Sequence, residues 1–187
     1  MTIDLKAALR RIKPDKSLAQ ITARPRHALN AADDFASSNK RSPILVDTNV
    51  YIYIAEGMLP PSARRLVERG LLFHCSVCLA ELTVGVANAD PSRAGWKELR
   101  DYYSGIAAAI PPSRLITPDA DIWVEAGLVA GTLARTQNYQ RHQRKECLND
   151  ALILLTAAKA GLPVMTANRD EFDLIQQLAP QCRFIYF

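Results

Sequence analysis

From Pro43 to Phe187 the chain alternates short continuous apolar runs with longer stretches whose apolar residues recur at helical spacing. "ILV" at 44–46, "LLFHCS" at 71–76, "RLIT" at 114–117, "PVMTA" at 163–167 and "RFIYF" at 183–187 read as strands. Aliphatic runs of this kind suit a parallel sheet covered on both faces. Between them, helices are predicted in "VYIYIA", "PPSARRLVERG", "VCLAELTVGVAN", "SRAGWKELRDYYSGIAAAI", "PDADIWVEAGLVAGTLARTQ", "LNDALILLTAAKAG" and "RDEFDLIQQLA". Boundary residues agree: proline opens and Gly70 ends the second of these, Ser76 is a candidate N-cap, and Gly161 closes the most apolar helix. Strands alternating with helices predict an α/β fold, an α/β/α sandwich around a mainly parallel five-stranded sheet.

Residues 1–42 differ in pattern. A short amphipathic helix fits "LKAALRRI", no sustained period follows, and "SSNKRSP" reads as a linker, so the chain divides into an N-terminal extension (1–42), partly helical or flexible, and one domain (43–187). Charge divides at the same place. The extension carries nine Lys/Arg against four Asp, whereas the domain has 14 basic and 15 acidic residues; the formal +4 of the 187-residue chain therefore resides in the extension. A polyanion contact and a solvated arm are both compatible with that excess.

With 49% apolar and 22% charged residues, the composition is that of an ordinary globular domain. No apolar run is long enough to span a bilayer and the N-terminus lacks the apolar centre of a signal peptide, which predicts a cytoplasmic protein with no membrane association. Cys75, Cys78, Cys147 and Cys182 are then expected to be reduced. The C-x-x-C pair lacks two further ligands at comparable spacing and reads as small buried hydrophobes.

The first apolar run stops at a carboxylate, Asp47. A buried unpaired carboxylate is costly, and ligands of open parallel sheets gather beyond the carboxyl ends of the strands. Asp47 is thus expected where the chain leaves the core. Glu81, on the helix after the second strand, Asp150, at the start of the most apolar helix, and the group Thr166, Asn168, Asp170, Glu171 and Asp173 after the fourth strand could reach the same crevice. Singly, Asp150 could be a helix-start acid, Glu81 a partly exposed helix residue, and Asp170 or Asp173 solvated charges. Together they would repel unless a cation or protons intervene. With only His27, His74 and His142 in the chain, an oxygen-rich site of this kind points to Mg2+ or Mn2+ and to metal-assisted hydrolysis of a phosphodiester.

"ILVDTNVYI", "SVCLAELTVG", "LNDALILLTAAKAGLPVMTANRDEF" and "RFIYF" resemble, in order and spacing, the PIN-domain nucleases, and most closely the VapC-type toxins of bacterial toxin-antitoxin modules. The resemblance spans about residues 43–187; such toxins begin almost directly at the first strand, so the extension is a departure. It implies a PIN fold and a divalent-metal-dependent endoribonuclease acting on RNA, a cognate antitoxin, and a homodimer. Carried onto this chain, the catalytic and metal-binding acids would be Asp47, Glu81, Asp150 and Glu171, with Asp170 replacing Glu171 if the loop shifts by one residue. Thr48, Asn49, Thr166 and Asn168 would support those carboxylates or the metal's waters by hydrogen bonding.

"RTQNYQRHQRKECLND" is basic and carries Tyr139. Read as a loop joining two helices, it is either solvated or an RNA contact in which Arg141, Arg144 and Lys145 hold phosphate and Tyr139 stacks on a base. Two other functions compete with the nuclease: a catalytically silent PIN-type RNA-binding module, and an aspartate-nucleophile phosphatase or phosphotransferase. The latter needs a second acid two residues beyond Asp47, where this chain has Asn49.

Overall fold

A computed structural model describes residues 3–36 and 41–187. Its strands are β1 (Pro43–Val46), β2 (Leu71–Cys75), β3 (Leu115–Ile116), β4 (Val164–Thr166) and β5 (Phe184–Tyr186). They form one all-parallel sheet in the order β3-β2-β1-β4-β5. Helices α1 (Leu5–Ile12) and α2 (Ala32–Ala36) belong to the extension; α3 (Thr48–Ala55), α4 (Pro61–Arg69), α5 (Ser76–Asn88), α6 (Trp96–Ala109), α7 (Ala120–Thr136), α8 (Arg141–Lys159) and α9 (Arg169–Leu178) flank the sheet.

The order explains where a site can form. The chain builds β1, β2 and β3 outward in one direction, then crosses back to lay β4 and β5 on the other side of β1. The direction in which strands are added across the sheet therefore reverses between β1 and β4, and the crevice at their carboxyl ends is the place where such sheets take ligands. The register puts Val46 beside both His74 and Met165, so Asp47 emerges next to Thr166 at the end of β4. Below that crevice, Leu45, Val46, Leu152, Ile153, Leu154, Met165, Phe172 and Ile175 fill a core with almost no solvent exposure. That core fixes both strand ends.

Three boundaries depart from the sequence reading. Asp150 does not open its helix: α8 starts at Arg141, capped by Gln140, whose side chain and that of Gln143 form a reciprocal box. The expected loop shrinks to residues 137–140, a turn in which Asn138 takes a left-handed φ of 56°. Its basic residues have no apolar periodicity because the first turns of α8 project beyond the core. Cys75, rather than Ser76, occupies the cap position of α5, and Ser76 is its first helical residue. The helix expected from Ser92 begins at Trp96, since Asp90 Oδ1 accepts from the Ser92 amide (2.9 Å) and hydroxyl (2.7 Å) and ties that stretch into a turn.

The described part of the extension lies against the domain. Ala8, Ile12 and Ala32 are buried, and Ala31 pairs in parallel with Tyr186 at the outer edge of β5. The linker read at "SSNKRSP" falls partly outside the described residues. All four cysteines are free and buried, with Cys78 Sγ donating to Val46 O at 3.7 Å. No helix among the described residues is long and apolar enough to cross a membrane.

Candidate metal centre

Four carboxylates from separate segments meet at the reversal point. Asp47 follows β1 as the N-cap of α3 and is 3% exposed. Its Oδ1 accepts from the Thr48 amide at 2.7 Å, and its Oδ2 from Thr166 Oγ1 at 2.7 Å and from Asn49 Nδ2. Burial nevertheless dominates, opposed by these donors and reinforced by Glu81, and it raises the Asp47 carboxyl to a pKa of about 6.

Glu81, two turns into α5, accepts at Oε1 from Asn149 Nδ2 at 2.8 Å and at Oε2 from the Thr48 hydroxyl. Asp150 comes from the middle of α8 and accepts at Oδ2 from Asn168 Nδ2 at 2.9 Å. Its pKa lies well above the ordinary carboxylate range, first through desolvation and then through the charges of Asp47, Glu81 and Glu171.

Glu171, in the first turn of α9, accepts at Oε2 from the Tyr139 hydroxyl at 2.6 Å, while its Oε1 is buried with no hydrogen-bond donor. Such an oxygen is expensive to bury unless something outside the protein's own donors meets it.

Asn49 Oδ1 accepts from the Ala167 amide at 2.9 Å and its Nδ2 also reaches Thr166 Oγ1 at 3.1 Å, so Asn49 ties the start of α3 to the end of β4. Asp170 instead points outward, paired with Arg169. Asp173, read above as a solvated charge, is fully buried and pairs with Arg24 of the extension. Tyr139, read as a stacking platform, uses its hydroxyl on Glu171.

The basic residues separate onto different sides of α8. Lys145 and His142 line a groove of about 660 Å3 with Glu81, Asn149, Glu146 and Trp123, and Glu81 is the member of the four acids that borders it. Arg144 faces the other way, donating from Nε to Tyr139 O at 2.9 Å and lining a cleft against α7. Arg141 is exposed at the start of α8. Asn149, His142 and Trp123 were not singled out from sequence; the position of Asn149 beside Asp150 was the available signal, whereas the other two are placed only by the packing of α7 against α8.

Among the described residues, no three His, Cys, Asp or Glu side chains already stand in ligating positions, because each acid is turned onto a protein donor. The donor set still fits a hard divalent cation. It consists of carboxylates, it carries raised carboxyl pKa values that a cation would reverse, and it includes an unsatisfied oxygen on Glu171. Mg2+ and Mn2+ match this chemistry; Zn2+, with its preference for nitrogen and sulfur, does not.

Comparison with known proteins agrees with this architecture. The family model described as "PIN domain" matches residues 44–177. No curated protein shows significant sequence similarity to the chain. Among solved structures, VapBC2 from Rickettsia felis, bound to a DNA fragment from its promoter, superposes with a TM-score of 0.54 at 18% identity, covering 78% of this chain and 98% of that one. VapBC-1 from nontypeable Haemophilus influenzae gives 0.52 at 19% identity, covering 76% and 96%. VapBC-5 from Mycobacterium tuberculosis, of the VapBC family of toxin-antitoxin systems, gives 0.50 at 23% identity, covering 78% and 98%. These likenesses share the fold, and the family match spans most of the chain from the first strand onward: the chain belongs to the PIN domain family.

Proposed function

We propose that the protein is a divalent-metal-dependent endoribonuclease of the cytoplasm and the toxin of a toxin-antitoxin module, with Asp47, Glu81, Asp150 and Glu171 as its metal-binding and catalytic acids. The observation that carries this reading is the convergence of the four carboxylates at the β1/β4 reversal, two of them with raised pKa and one with an oxygen lacking a donor. A structural role does not require four acids in one crevice.

Asp47, Glu81, Asp150 and Glu171 would hold Mg2+ or Mn2+. When bound, the ion would supply Lewis-acid activation of water and of the phosphodiester. The chain's own residues do the rest. Thr48, Asn49 and Thr166 hold the Asp47 carboxylate, Asn149 holds Glu81, and Asn168 holds Asp150, and the acids would turn from these donors toward the ion on binding. Lys145, and in its protonated form His142, offer positive charge to substrate phosphates along the groove beside Glu81. Arg141, exposed at the start of α8, would add charge there, and Arg144 would contact strands passing over α7. The toxin assignment draws on the fold shared with the VapBC proteins, and it carries a cognate antitoxin and a second copy of the chain as partners; co-expression with the neighbouring reading frame and light scattering test these.

The experiment is incubation of purified protein with total cellular RNA and with single-stranded DNA, in Mg2+, Mn2+ or EDTA. Discrete RNA fragments that require the ion support the reading; intact RNA in every condition overturns it.

One observation favours a silent RNA-binding module instead: Asn168, a neutral residue, sits on Asp150 at the outer side of the site. Such a module would tolerate Asp47→Asn and Asp150→Asn without loss of function, and a nuclease would not. The phosphotransferase reading is disfavoured, because both oxygens of Asp47 are occupied by protein donors and Asn49 supplies no acid.

A further inference from the structure

The extension does more than cover the domain. Its strongest attachment is on α9, the helix that carries Glu171. Arg24 donates from its backbone amide to Asp173 Oδ2 at 2.7 Å and from Nε to Oδ1 at 2.6 Å, its Nη2 lies 2.5 Å from the same Oδ1, and Nη2 also donates to Gln176 Oε1. The Asp173 side chain has no solvent exposure, and Gln177 Nε2 joins the cluster, donating to Asp173 Oδ2 at 2.9 Å and to Thr22 O at 3.0 Å. Asp173 and Glu171 are two residues apart on one short helix.

The remaining attachments lie on both sides of this point. Arg135 of α7 donates to Pro14 O and Ser17 O, both at 2.9 Å, and the Tyr186 amide donates to Asn30 O at 3.0 Å, extending the sheet by one bridge at the edge of β5. Residues 14–31 thus run as a strap from α7 across α9 to β5. The family match begins at residue 44, so the strap is an addition to the PIN domain.

We infer that the strap is a positioning element of the metal centre: Arg24, by clamping the buried Asp173, fixes the rotation and height of α9 and so the place of the Glu171 carboxylate. The part of this inference that concerns metal rests on the nuclease reading above; the part that concerns α9 does not. Arg24 touches no reacting group, so it acts only through α9. Apart from α9 itself, the Glu171 carboxylate is held by the Tyr139 hydroxyl, from the turn before α8, with the Cys147 thiol beside it.

The test uses the full chain and two readouts. In Arg24→Ala, hydrogen exchange of the α9 amides should accelerate by ~10-fold or more while the β1 and β4 amides keep their protection. Mn2+ affinity, read by electron paramagnetic resonance in the absence of RNA, should fall about 10-fold, the usual consequence of releasing a support of a metal ligand. Arg11→Ala breaks the exposed Arg11–Glu125 pair of the same extension and should change neither readout. Arg24→Lys keeps the charge on Asp173 but cannot also span to Gln176; it should give intermediate values and carries the test if the alanine variant fails to fold. Unchanged α9 exchange in a folded Arg24 variant overturns the inference. If the wild type binds no Mn2+ while α9 exchange still responds to Arg24, the metal reading fails and the clamp stands.

Discussion

The Tyr139 hydroxyl donates to Glu171 Oε2 at 2.6 Å, and the other oxygen of that carboxylate is buried without a donor. The turn before α8 therefore sets one half of Glu171 and leaves the other half for a ligand. Burial and the adjacent carboxylate raise the Tyr139 hydroxyl pKa, so it remains a donor at any physiological pH. Tyr139→Phe should weaken Mn2+ binding by about 10-fold while preserving the fold, because it frees an outer support and leaves the aromatic packing. Titration of Mn2+ followed by spin-resonance amplitude, with a far-ultraviolet circular dichroism control, checks this. An unchanged affinity would mean that Glu171 does not ligate.

Substituting the acids should separate activity from stability. Asp150 is held with a carboxyl pKa well above normal by burial and three neighbouring acids, which makes its charge a cost to the metal-free fold. Asp150→Asn should abolish cleavage yet raise the melting temperature in EDTA, by about 2–4 °C for each kcal/mol of repulsion relieved in a domain of this size. Differential scanning calorimetry in EDTA reads the shift. A fall in melting temperature would show that Asp150 is a structural acid.

A pH dependence follows from Asp47. Its carboxyl is raised from 3.8 in the unfolded chain to about 6 in the fold, so the folded state keeps the proton to higher pH. The associated stability is fully present below about pH 3.8 and is lost as pH rises through 6. Urea midpoints in EDTA between pH 4 and pH 8 should therefore fall for wild type relative to Asp47→Asn, and saturating Mg2+ should remove the difference. Parallel curves for the two proteins in EDTA would contradict the shift.

The basic residues of α8 should differ in effect. Lys145 shares the groove with Glu81, whereas Arg144 is turned onto Tyr139 O. Lys145→Glu should weaken binding of a short single-stranded RNA and lower its salt slope by about one, and Arg144→Glu should change both less. Fluorescence anisotropy across a salt series distinguishes them; a larger effect at Arg144 would move the RNA path to the α7 side.

How far the sequence discloses this molecule depends on what holds each residue. The run "ILVD" announces both β1 and the carboxylate at its end, because a buried parallel strand is continuous in sequence and its end is marked by the first charge. Glu171 follows from the same logic of helix ends, whereas Glu81 and Asp150 lie inside α5 and α8 and stand out with the help of their motif context. The start of α8 does not, since residues 141–146 lack an apolar stripe and are held in helix by the Gln140–Gln143 box and by continuity with the buried half. Asp173 is misjudged for a different reason. Its partner Arg24 lies 149 positions away, and no local pattern distinguishes a buried paired acid from a solvated one. Beyond α1, residues 14–31 show no period: four of their attachments are through backbone carbonyls at Pro14, Ser17, Thr22 and Asn30, which leave no trace in side-chain pattern.

The most direct test of the four-acid centre is Mn2+ binding to the wild type and to Asp47→Asn, measured side by side on samples shown to be folded. The account predicts saturable binding by the wild type, displaced by excess Mg2+, and its loss in the variant together with metal-dependent RNA cleavage. Equal Mn2+ affinity in the two proteins, or none in the wild type, would contradict it.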